Sequence, residues 1–90
     1  MSIAMRIKIK GLVHGVFFRA SMARVAAEHN VKGWVRNLPD GSVEAVLEGD
    51  DSSVKMVADW ARRGPPRARV DSVSVELLPP RNRRGFRIVG

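Results

Sequence analysis

The sequence predicts an α+β fold in which two helices cover one face of an antiparallel sheet, with its elements in the order βαββαβ. Three observations predict it. The chain opens on residues that alternate apolar and charged, two later stretches carry apolar residues at helical spacing, and turn-forming residues separate these segments. Ninety residues are enough for one such domain but not two, because a chain this short buries only about 60 to 65% of its unfolded surface. One domain over residues 1–90 is therefore expected.

Ile3, Met5, Ile7 and Ile9 alternate with Ala4, Arg6, Lys8 and Lys10, the pattern of a half-buried strand. After "GLVHGVFFR" (residues 11–19) the period changes. Met22, Val25, Ala26 and His29 share one helical face, and Ala20, Ala23 and Ala27 favour helix. "VKGWVRN" (31–37) follows as a second strand, closed by the turn formers Pro39, Asp40 and Gly41. Val43, Ala45 and Leu47 alternate with Glu44, Val46 and Glu48 as a third strand, so the two make a hairpin. Asp50, Asp51, Ser52 and Ser53 are N-cap candidates for a second helix, whose stripe of Val54, Val57, Ala58 and Ala61 stops at Gly64, Pro65 and Pro66. Met56 and Trp60 are expected to widen that stripe. Val73, Val75 and Leu77 form a fourth strand, and "FRIV" (86–89) is either a short final strand or an extension of the edge. This order is the split βαβ, ferredoxin-like arrangement, which by itself names no function.

Composition excludes several classes. No apolar run approaches the roughly 20 residues of a membrane helix. The alternating start lacks a signal peptide's apolar stretch, so a cytoplasmic location is expected. With no cysteine there is no disulfide, no thiolate nucleophile and no Cys-ligated zinc. His14 and His29 lack metal-ligand spacing, so no metal site is expected. The net charge of +7 belongs to the last third: residues 62–90 hold eight arginines against Asp71 and Glu76, whereas residues 1–61 are nearly balanced. A solvated face is the expected reading of those arginines, and contact with an anionic partner the alternative.

The chemistry points to the glycine stretch. Amides from His14 to Arg19, placed between a strand and a helix start, can converge on one anion, and Arg19 adds a planar fork of donors suited to phosphate oxygens. The bland alternative is a tight turn followed by a solvated arginine. Asn37, at the end of the second strand, can accept a hydrogen bond from water and donate another, but it cannot act as a base at neutral pH. A hydrolase built on these groups needs a leaving group that departs without protonation. An acyl phosphate supplies one, since a carboxylate has a pKa of about 4 to 5.

"GLVHGVFFR" resembles the first signature of the acylphosphatase family, GxVQGVxFR, and "GWVRNLPDGSVEAVLEG" (33–49) is similar to its second. With the element order, the likeness covers nearly the whole chain. It implies hydrolysis of a carboxyl–phosphate bond without metal or cofactor. It further implies that Arg19 binds phosphate, that Asn37 positions the water, and that the amides around His14, Gly15, Val16, Phe17 and Phe18 form the phosphate cradle. The partners it implies are a small-molecule acyl phosphate and inorganic phosphate as product and competing ligand; no membrane or nucleic-acid partner is expected from the composition, and the chain is expected to be a monomer. His14 departs from the family, which has glutamine there; imidazole can brace the loop instead but could make activity pH-dependent.

Other residues take structural expectations. Phe18 and Trp34 are expected as core anchors, Gly33, Gly41 and Gly49 at turns and strand ends, His29 at a helix end, and Asp40 in the turn rather than as a base. The competing functions are a non-catalytic anion-binding domain and a nucleic-acid-binding βαββαβ module. "KGWVRN" begins like an RNA-binding motif, but Val35 and Arg36 follow where a small residue and an aromatic are needed, and the chain has no tyrosine.

Overall fold

The computed structural model describes all 90 residues. Its elements are β1 (Ser2–Leu12), α1 (Phe18–Glu28), β2 (Lys32–Asn37), β3 (Val43–Asp50), α2 (Asp51–Arg63), β4 (Arg69–Leu78) and β5 (Phe86–Ile88). They build one sheet in the order β4-β1-β3-β2-β5, antiparallel throughout except that β5 runs parallel to β2. "FRIV" thus supplies a separate fifth strand, and the sheet is mixed at that edge. No helix is long and apolar enough to cross a membrane.

Alternation puts Met5, Ile7 and Ile9 of β1 beside Val43, Ala45 and Leu47 of β3 on the face the helices cover. Met22 and Ala26 of α1, and Val54, Val57, Ala58 and Ala61 of α2, close that core from above. Phe18 joins the layers, buried in the core with its ring 5.3 Å from that of Trp60. Burial of each such side chain is worth about 1.5–3 kcal/mol, which is what holds two short helices on the sheet. His29 caps the end of α1 as expected.

Some expectations fail. Met56 points away from the core and stays 54% exposed. Trp34 lies on the helix-free face, opposite Val46 and half buried beneath the Arg36 guanidinium, 5.2 Å from the ring centroid. Asp50 occupies the N-cap of α2, yet its carboxylate bonds Ser52 Oγ rather than a helix amide. Gly33 sits inside β2, not at its end, because any Cβ there would meet the Val46 carbonyl oxygen at 1.8 Å. Only glycine lets the two strands approach so closely.

Val46 and Glu48, which alternate with the core residues of β3, are buried as well. The cover over Glu48 is the link between β4 and β5. Its carboxylate accepts the amides of Arg81 (3.0 Å) and Arg83 (3.2 Å) and the Arg83 guanidinium (2.5 Å). That anchor carries the chain across the sheet end where β2 begins, and the Gly33 amide then donates to Gly85 (2.9 Å). Entering there, β5 must run parallel to β2, so its last residues reach the far end of the sheet, beside Asn37 and the start of α1.

Candidate active site

The loop between β1 and α1 leaves its amides unused. Those of His14, Gly15, Val16 and Phe17 find no acceptor within the chain, and the first amides of α1 have neither a preceding turn nor a side-chain cap. Phe17 caps the helix in a left-handed conformation (φ 64°, ψ 28°), a strained geometry for a bulky residue that costs about 1–3 kcal/mol. The turn also needs Gly15, whose φ is 71°. A bend of this kind can turn successive N–H groups to one side, and a helix start adds partial positive charge there.

A cavity of about 350 Å³ opens at this end of the sheet. Gly15, Phe17, Phe18, Arg19 and Asn37, all singled out by sequence, line it together with Val13, Ala20 and Ile88. His14 and Val16 do not. The Val16 side chain turns into the core, and His14 reaches to Ser42, its Nε2 lying 2.8 Å from the main-chain oxygen. Since a carbonyl only accepts, the imidazole donates from Nε2.

Arg19 Nη1 donates to the main-chain oxygen of Gly90 at 3.0 Å, and the Val89 amide donates to Val35 at 2.9 Å. The segment after β5 therefore fixes the guanidinium, leaving its remaining donors for the cavity. Asn37 is held by its place at the end of β2, and its Oδ1 is buried without a partner. Such an orphan costs about 1–3 kcal/mol. A half-turn of the amide exchanges oxygen and nitrogen without changing shape, so an acceptor is available to a water in the cavity.

Asp40 belongs to the turn. Its carboxylate accepts the Ser42 hydroxyl (2.5 Å) and amide (3.0 Å), with Lys8 Nζ at 3.0 Å. The Ser42 hydroxyl and amide and then Lys8 hold its carboxyl well below the usual carboxylate range, which suits a brace and not a base. Arg19 is left as the only titratable side chain that lines the cavity.

The chain is similar to known proteins in sequence and fold. A family model described as acylphosphatase matches residues 5–88. The chain belongs to the acylphosphatase family. A relative named acylphosphatase from Thermococcus kodakarensis is 52% identical over 84 residues, covering 93% of this chain and 92% of its own. Among solved structures, the acylphosphatase of Coxiella burnetii superposes with a TM-score of 0.94 at 35% identity, covering 98% of this chain and 93% of its own. Crystalline acylphosphatase from Bacillus subtilis gives the same TM-score at 30% identity, covering 98% and 99%. The likeness fits the expected hydrolase and its ferredoxin-like α+β fold. Sequence reasoning missed Ile88 and the Gly90 carbonyl, because nothing local to residues 11–19 signals a partner some seventy positions away.

Proposed function

We propose that the chain hydrolyses the carboxyl–phosphate bond of acyl phosphates, with the 14–19 amides and Arg19 binding the phosphoryl group and Asn37 orienting the water. The observation that carries it is one cavity lined by a loop of unpaired amides, a guanidinium held by a main-chain oxygen and the amide side chain of Asn37. Phosphoryl oxygens accept from the amides and from Arg19, which neutralise charge as it spreads over them in the transition state. Water, held by Asn37 Oδ1, attacks phosphorus in line. The bond from phosphorus to the acyl oxygen breaks, the carboxylate leaves with the electron pair, and the proton of the water passes to the phosphate product or to solvent. No base is required because the leaving carboxylate, with a pKa of about 4 to 5, is stable as an anion. Catalysis is then alignment and charge compensation, effects able to supply several kcal/mol each.

The test is phosphate release from acetyl phosphate by purified protein with EDTA present, beside Arg19→Ala. Rapid release that the variant loses is expected; intact substrate at high concentrations of folded wild-type protein would exclude the proposal. Inorganic phosphate is expected to inhibit competitively, since it occupies the same amides. We take the acting species to be the monomer, because every residue invoked comes from one chain.

A further inference from the structure

Two exposed apolar side chains line the cavity. Phe17 is 71% exposed and Ile88 is 48% exposed, and both line the cavity. Phe17 is the stranger of the two. A position needed only for its left-handed turn and its amide would favour glycine or asparagine, which adopt φ near +60° at lower cost. Strain in the backbone and an aromatic ring held in water are two costs that folding does not recover.

Ile88 arrives from the opposite end of the sequence. Paired with buried Val35, it lies on the helix-covered side of the sheet, where the parallel course of β5 brings it to the cavity. The lining thus combines donors from Gly15, Arg19 and Asn37 with the exposed apolar side chains of Phe17, Ala20 and Ile88. At about 30 Å³ per water-sized group, 350 Å³ accommodates on the order of ten such groups, more than the phosphorus and four oxygens of a phosphoryl ester.

We infer that Phe17 and Ile88 form an acyl subsite that selects acyl phosphates with an extended apolar or aromatic chain over acetyl phosphate. This rests on the proposed hydrolase function and deepens it. The phosphoryl end of any acyl phosphate makes the same contacts, so discrimination falls to the remainder of the substrate. An apolar chain covers both side chains and displaces water from them, a gain an acetyl group is too short to collect. Because the leaving group departs past this rim, the contact acts on kcat/KM through binding of the chain and leaves the in-line attack unaltered.

The decisive experiment compares acetyl phosphate with hexanoyl phosphate, whose carboxylates are nearly equally basic, so that their ratio reports the chain and not the chemistry. Each partly covered methylene is worth a factor of about 2. The four additional methylenes predict a kcat/KM about 16-fold higher for hexanoyl phosphate. In Ile88→Ala and in Phe17→Ala that ratio is expected to fall at least threefold, while the inhibition constant of inorganic phosphate in Ile88→Ala stays within twofold of wild type. A wild-type ratio near one, or a ratio that survives both substitutions, overturns the subsite while leaving hydrolysis intact. Failure of the wild type to release phosphate from either substrate overturns the hydrolase function itself and the subsite with it.

Discussion

The Nε2 of His14 donates to the main-chain oxygen of Ser42 across 2.8 Å, tying the loop before α1 to the turn that follows Asn37. That same oxygen accepts the Leu38 amide at 2.9 Å, so one carbonyl couples the 11–19 loop to the residue after the asparagine. An imidazole keeps its Nε2 proton whether neutral or charged. His14→Gln, whose amide also donates, is accordingly expected to retain turnover within a few-fold, with a pH–rate profile from pH 5 to 8 that superimposes on wild type. His14→Ala unties the loop and is expected to lower kcat/KM about tenfold. Divergent profiles for wild type and the glutamine variant would show instead that the ring exchanges a proton during turnover.

Arg19 is gripped by the Gly90 carbonyl and lines the cavity at once, which a point charge on a flexible stem cannot imitate. Arg19→Ala is expected to lower kcat by about 10²–10³ or more, the cost of losing a charged donor in the transition state. Arg19→Lys should recover only a small part. Steady-state rates with circular dichroism as the folding control decide this; a lysine variant of near wild-type rate would reduce the arginine to a generic positive charge.

Asn37 offers a different split. If it holds water and not phosphate, Asn37→Ala lowers kcat by about 10² but leaves inhibition by inorganic phosphate within about twofold. Loss of phosphate affinity in parallel with turnover would move Asn37 into the phosphate site.

Glu48 governs the acid limb of stability. Burial raises its pKa, but the Arg81 amide, the Arg83 guanidinium and the Arg83 amide outweigh that and leave it below the ordinary 4.5. A carboxyl depressed on folding contributes stability that is present above its unfolded pKa and lost as pH falls through the folded value. The melting temperature is therefore expected to drop as pH is lowered from 5 towards 3. Glu48→Gln should melt lower at pH 7, by the equivalent of about 2 kcal/mol, and show a shallower acid decline. Some decline persists, since Asp40 and Asp50 are also depressed.

Gly33→Ala tests the closeness of β2 and β3. Its Cβ would fall 1.8 Å from the Val46 carbonyl oxygen, and no flexible side chain is there to move aside. The substitution is expected to cost roughly 3 kcal/mol or more in chemical denaturation. A loss under about 1 kcal/mol would mean that the strands part readily.

The sequence by itself determined the elements of this protein that rest on local pattern. Alternation through Ile3–Ile9, the stripe Val54–Ala61 and the turn at Pro39–Gly41 each follow from side-chain periodicity or backbone preference, and each lies where expected. Both halves of the candidate site, the 11–19 loop and Asn37, were legible as donor-rich residues at element boundaries. Tertiary structure alone decided what depends on distant segments meeting. Glu48 became buried because the arginine-rich link crosses the sheet there, a route that no local period encodes. The same crossing sends β5 parallel to β2 and so delivers Ile88 and Gly90 to the cavity. Periodicity reports which face a residue takes on its own element, but only the direction in which a strand enters the sheet decides which end of the molecule it reaches.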